Sequence, residues 1–238
     1  MPGEQLIVKI MQKIIKWFKN YWYYYKWQVL ASAFVLFVVV FCVVQCSTQD
    51  KYDIHFTYAG QNIISNQIDD IRSAIRATFT TKEEKESKGI SVRDIVWVND
   101  ALALEYQRND IYYDPKTNSD NAKLLYNEAA SGNSFIYIID KQQYERLKAD
   151  GIFAPLSDVF GDKAPEHAID EYGIDFLSTD FAKYFEVFKE WKGDLVLCLR
   201  SGTLSESLIN RIKGSKQYER SYDLHKQVFI DIVQFKAG

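Results

Sequence analysis

The chain is poor in the residues that usually carry chemistry. Its 238 residues include three cysteines and three histidines. Cys42 and Cys46 lie in or beside a single apolar run, and Cys198 stands alone far beyond them. No disulfide can therefore close within the C-terminal part, and no CxxC pair offers a zinc or redox centre. HExxH, G-x-S-x-G, Walker and GxGxxG patterns are all missing, which removes the familiar signatures of zinc hydrolases, serine hydrolases and nucleotide binders. His55, His167 and His225 are scattered. His167 and Glu171 are four apart, with Glu166 and Asp170 beside them, but Pro165 and Gly173 favour a loop, and one pair of ligands does not make a metal site. Asp114-x-Lys116-x-Asn118-x-Asp120 has the spacing of a calcium loop with a lysine at a ligand position and neither the glycine nor the terminal glutamate. Cys198 sits in Leu195-Val196-Leu197-Cys198-Leu199, where a free thiol serves as a small core hydrophobe. The expectation is a protein that acts by binding, with no catalytic residue, metal or cofactor.

A basic surface is also missing from most of the chain. The net charge is −3, and the first 46 residues, with five lysines and Glu4, are +4, which leaves −7 beyond them. Nucleic acid is a poor partner for such a surface. Internal repeats and low-complexity stretches are absent as well.

What the chain does have is one long apolar run, Val29 to Val44, whose single polar side chain is Ser32. Sixteen residues at 1.5 Å each span about 24 Å, short of a hydrocarbon core of roughly 30 Å. The cluster Tyr21-Trp22-Tyr23-Tyr24-Tyr25 with Trp27 supplies the remaining length, because such rings favour the headgroup boundary. The run is expected to be a spanning helix over 27–46 and not a buried core helix. Lys9, Lys13, Lys16, Lys19 and Lys26 precede it and no local excess of base follows, so the positive-inside rule puts the N-terminus in the cytoplasm and residues 52–238 outside. A cleaved signal peptide fits less well, since no A-x-A-like site follows the run. Lipidation at Cys46 is disfavoured by Gln45, too large for the small residue expected there. Residues 1–26 repeat apolar positions at helical spacing, Ile7, Ile10, Met11, Ile14, Phe18 and Tyr21, with lysines on another face. They form a basic amphipathic cytoplasmic segment suited to anionic lipid. Residues 47–51 are a short linker.

Beyond it, strand and helix patterns alternate. Tyr52 to Tyr58 alternates like a strand, and Ser65 or Asn66 can cap a helix carrying Ile68, Ile71, Ile75 and Phe79 on one face. Ile90 to Val98 is a second strand, and the Tyr-rich stretch 105–121 is expected to be a loop. A helix over 120–131 closes at Gly132, and Phe135 to Ile139 is a strand covered on both faces. Asp140 caps a helix over 141–149 that Gly151 stops. Further on, Phe181 to Trp191 has a helical pattern, Asp194 to Leu199 a strand pattern, Leu204 to Ile212 a short helix, and Tyr222 to Phe235 a helix with a strand-like centre. The fold class expected is α/β, a single domain over 52–238 with a largely parallel sheet.

One stretch resembles a known family. Ser131-Gly132-Asn133-Ser134-Phe135-Ile136-Tyr137-Ile138-Ile139, then Leu147, Gly151 and Phe153-Ala154-Pro155-Leu156, resembles the first lobe of the extracytoplasmic solute-binding proteins of ABC importers. The opening strand and the Gly60 loop fit the same lobe, so the resemblance covers about residues 52–160. Asn133-Ser134 stands where the family has an acidic turn. The resemblance implies a periplasmic-binding-protein-like lobe, here reduced to one, because the family's two lobes joined by crossover strands need a longer chain. It implies a membrane-anchored domain that binds a small solute, accessory to a transporter or envelope complex. The alternative is a non-catalytic interaction or scaffold protein that has lost its ligand. In open parallel sheets ligands bind beyond the carboxyl ends of the strands, which places candidate ligand contacts at Gly60, Gln61, Asn62, Asn99 and Asp140. Each of these is also a natural turn or cap residue. Expected partners are the bilayer and either a solute or an envelope protein.

Overall fold

A computed structural model describes residues 2–47, 52–87, 89–202 and 215–237. The chain divides into two units, Met1–Asp50 and Lys51–Gly238. The first is one helix, α1 (Pro2–Ser47), of 46 residues. Within it Lys19–Cys42 is long and apolar enough to cross a membrane. The helix is unbroken through the aromatic cluster, where Trp17, Tyr21 and Tyr25 stack ring on ring at 5.5 and 5.1 Å.

The second unit is built on a five-stranded mixed sheet ordered β2-β1-β3-β5-β4, with β1 (Ile54–Gly60), β2 (Ile90–Val96), β3 (Ile136–Asp140), β4 (Gly173–Asp175) and β5 (Leu195–Leu199). β1 pairs in parallel with β2 and β3, and β5 runs antiparallel to both β3 and β4. Four strands thus share one direction and β5 alone is reversed. The reversal was not readable in Leu195–Leu199, since a strand buried on both faces looks the same in either direction.

Two apolar layers sandwich this sheet. On one face Ile54, Phe56, Tyr58, Ile138 and Leu197 pack against α2 (Ile68–Ala77) and the C-terminal helix. On the other Ala59, Tyr137, Ile139 and Cys198 meet α5 (Pro115–Ser131) and α6 (Lys141–Ala149). Successive residues of β3 and β5 alternate between the two layers, and every one of them is buried, which accounts for their continuous apolar runs.

Several local expectations are corrected. Neither Ser65 nor Asn66 caps α2; Gln67 stands at the N-cap without a side-chain bond, and Ser65 Oγ instead donates to Asp94 at 2.8 Å. Much of the polar stretch 105–121 is helical. The short α3 (Lys82–Lys85) precedes β2, then α4 (Asp100–Arg108) starts on the Asn99 cap, and α5 starts on Asp114 with Pro115 in its first turn. Asp114 takes bonds from Lys116 N and Thr117 Oγ1, so the apparent calcium spacing is cap chemistry. Gly132 closes α5 in the left-handed region at φ 70°. A short α7 (Ser157–Phe160) follows α6. The expected helix 181–191 is broken into α8 (Asp180–Tyr184) and a 3-10 turn (Glu186–Phe188), because Phe185 is extended. The final element is α9 (Ser215–Val233), with no strand at its centre. The proposed helix Leu204 to Ile212 lies outside the described residues.

Two buried polar groups fix the outer helices. His225 of α9 is fully buried; its Nε2 accepts the His55 N–H at 2.8 Å and its Nδ1 donates to Ser221 O at 2.6 Å. Arg200, 1% exposed, donates from Nε to Ala129 O at 2.7 Å and reaches Ala130 O, so it serves carbonyls at the C-terminal end of α5.

Candidate functional site

The sheet has a switch point at its centre. The helix after β1, α2, lies on one face and the helix after β3, α6, on the other, so the two chains leave the sheet in opposite directions. In an open sheet this divergence opens a crevice in which ligands sit. All five residues expected at that edge are there. Gly60 ends β1, Gln61 and Asn62 follow it, Asn99 follows β2, and Asp140 ends β3.

Their polar atoms are turned on one another. Asn99 Oδ1 caps α4 by accepting Leu102 N at 2.9 Å, while its Nδ2 donates to Asp140 Oδ2 at 2.9 Å. The other Asp140 oxygen accepts Gln142 N at 2.8 Å and caps α6. Burial raises the Asp140 carboxyl above the usual carboxylate range, and the Asn99 and Gln142 bonds oppose that rise. Asp100 and Gln142 exchange a reciprocal pair of bonds at 3.1 and 2.6 Å, tying the two helix starts together. Gly60 is glycine for space: a Cβ there would meet Tyr58 Oη at 2.5 Å.

The crevice itself is filled by the chain. The segment that enters the reversed strand β5 runs across it, and Asn62 grips that segment from both sides. Asn62 Nδ2 donates to Lys192 O at 3.0 Å, and Lys192 N donates to Asn62 Oδ1 at 2.9 Å. The same Nδ2 and the Asn62 backbone N–H both donate to Tyr58 Oη, at 2.8 and 2.9 Å. Desolvation pushes that phenol up to about 12, partly offset by the Asn62 bonds. The Trp191 ring lies tilted against Tyr58, with centroids 4.8 Å apart, and donates from its indole to Gln67 at 3.1 Å. Lys141 N donates to Asp194 O at 2.8 Å. Gly193, at φ 100°, lies over Gln61, where an added Cβ would come within 3.3 Å of its amide.

A hollow of about 560 Å³ remains to one side, bounded by Gln61, Asn62, Asn99, Glu105, Tyr106 and Lys192. A second, of about 370 Å³, lies on the other flank against Lys141, Asp175, Ser178 and Asp194. Both are open, and both abut the plugging segment.

The other candidates resolve differently. Cys198 is wholly buried and its thiol is pushed well up by desolvation. Glu166 approaches His167 at 3.8 Å, but Asp170 is taken by Tyr144 Oη, Lys148 Nζ and the amides of Tyr172 and Gly173. No grouping of three metal-ligating side chains occurs among the described residues. Sequence reasoning missed Trp191 and Lys192 because their contacts with Gln67 and Asn62 join residues 124 and 130 apart, and it missed Tyr58, whose bond to Asn62 spans only four residues, because the turn after Gly60 that brings them together was not readable.

No known protein family, curated protein or solved structure matches this chain.

Proposed function

We propose that the chain is a membrane-anchored, extracytoplasmic interaction module that has given up solute binding at its sheet edge. The observation that carries this reading is the double grip of Asn62 on the Lys192 backbone, which occupies the switch-point crevice with the protein's own segment. A bound solute would have to displace that segment and replace the two bonds between Asn62 and the Lys192 backbone. The resemblance to one lobe of a solute-binding protein fits the same reading. The reversed strand β5 is entered from residues 191–194, which fold over the edge of the sheet. The lysines before the apolar helix, with no local excess of base after it, support an N-terminus in the cytoplasm and an exported domain.

A second reading has its own observation. The 560 Å³ hollow carries Lys192 and Glu105 on its rim, opposite charges that suit a zwitterionic solute. A thermal-shift screen of the domain against sugars, amino acids and short peptides separates the two, since a ligand of the native state raises the midpoint. No shift is expected. A saturable shift abolished by Lys192→Ala would replace the first reading with the second. External protease on intact protoplasts should degrade the domain, and protection would overturn the orientation.

A further inference from the structure

Helix α9 is held to the sheet unequally along its length. In its second half Val228, Phe229 and Ile232 are buried in the layer that holds Phe56 and Ile138. Just past the helix, the Phe235 ring joins Phe181, Tyr184 and Phe185 at 5.9, 5.3 and 5.5 Å. Lys236 Nζ then donates to Glu166 at 3.2 Å and Asp180 at 2.8 Å. The first half has no such anchors. From Tyr218 to Leu224 every residue is half-buried or exposed. The Tyr218 and Tyr222 rings lean on Phe135 at 5.5 and 5.6 Å, and Tyr218 Oη donates to Gly202 O at 3.0 Å.

His225 stands at the boundary between the two halves, and its place follows from the sheet. β1 pairs with β2 from Ile54 but with β3 only from Phe56. The Ile54 N–H serves Gly89 O on the β2 side, so the His55 N–H turns to the other side, where the register with β3 has not begun. His225 Nε2 takes that N–H at 2.8 Å in place of a strand, while Nδ1 donates to Ser221 O at 2.6 Å. A second proton would land on Nε2 and set two N–H groups against each other.

The surroundings give an imidazolium little relief. The Phe135 ring lies at 4.7 Å and the His55 ring at 6.1 Å. Asp53 favours the charge, His55 opposes it, and desolvation outweighs both, holding the pKa at about 4. On α9 itself Glu219, Arg220 and Asp223 are exposed, and Lys226 Nζ is spent on Asp158 O at 2.7 Å. Glu84 of α3 and Asp180 of α8 approach the chain near Asp231 and Lys236 instead.

We propose that His225 is an acid-sensitive latch, whose protonation frees the first half of α9, residues 215–225, and uncovers Phe135 while the second half stays docked. Lifting this half breaks no strand pairing, because the five strands pair with one another and α9 bonds within itself. The imidazolium gains water and the clash with the His55 N–H is relieved. Val228, Phe229 and Ile232, with Phe235 and Lys236 behind them, keep the remainder in place.

The test is hydrogen exchange of the full chain in detergent micelles, read by mass spectrometry at about pH 7 and about pH 5 and divided by the intrinsic rates. With a pKa of 6.5 when open and about 4 when latched, the opening constant of the first half should rise about 20-fold across that interval. In the acid sample the amides of residues 219–225 should exchange at least about tenfold faster than those of 229–233. His225→Gln, whose amide oxygen can still accept the His55 N–H, should lose the pH dependence. His55→Gln keeps the backbone donor and should retain most of it. One common protection level for both halves of α9 overturns the local release, and that result needs no variant. Two levels that ignore pH, or a pH response that survives His225→Gln, overturn the latch.

Discussion

His225 makes the stability of the unit Lys51–Gly238 depend on pH in a way that can be worked out in advance. The imidazole is fully buried beneath α9, neutral, with the proton on Nδ1 and the lone pair of Nε2 on the His55 amide. Protonation would remove that acceptor and put a charge where water cannot reach it. Desolvation lowers its pKa from 6.5 to about 4; the Ser221 carbonyl and Asp53 oppose the fall and His55 adds to it. The folded state therefore binds this proton more weakly than the unfolded chain does. Its contribution to stability is fully present above the unfolded value of 6.5 and is lost as pH falls toward about 4. At 1.36 kcal/mol per unit the ceiling is about 3 kcal/mol, of which roughly 2 kcal/mol is gone by about pH 5. Urea unfolding of residues 51–238, followed by tryptophan fluorescence, should show the midpoint falling by about 1 M between about pH 7 and about pH 5. Burial raises the carboxyls of Asp94 and Asp140, which contributes to the pH dependence with the opposite sign, so the comparison that isolates His225 is His225→Gln. Its amide oxygen can still accept the His55 N–H but does not titrate. The variant should lose most of this acid sensitivity whatever its stability at neutral pH. Undiminished acid sensitivity in His225→Gln would refute the assignment.

Two further substitutions address the sheet edge and the end of α5. Asn62→Ala removes the grip on residue 192 and leaves Tyr58 Oη without its donors; hydrogen exchange should show the Lys192 amide losing protection, with about 1–3 kcal/mol lost globally. Arg200→Leu leaves the carbonyls of Ala129 and Ala130 without a buried donor, and the thermal midpoint should fall by an amount equivalent to roughly 2–4 kcal/mol.

The parts of this fold legible in the sequence are those set by neighbours along the chain. Asp140 ahead of Lys141-Gln142, Gly132 after Ser131 and the unbroken apolar run Phe135–Ile139 announce a cap, a helix stop and a doubly covered strand, and all three are present. Asp114-Pro115 is an equally local helix start, obscured because the segment it opens is polar and rich in tyrosine. The five edge residues were located correctly because strand ends are local features. Their bonding was not legible. Asn62 could have faced a ligand as readily as a backbone, and what decides between them is Lys192, brought back by a strand whose reversed direction leaves no trace in its own sequence.

The position of β5 also sets an order of assembly. β4 touches the sheet only through β5, and β5 must slide between β4 and β3 although it is synthesised after both. Until residue 199 has been made, β3 presents an open edge, and until α9 follows, the layer over Phe56 and Ile138 lacks Val228, Phe229 and Ile232. A chain synthesised N-terminus first thus holds its central strand bare on one edge until Leu195–Leu199 has been made. The sheet therefore closes late in synthesis, and a nascent chain stalled before Leu195 should be a ready substrate for proteases.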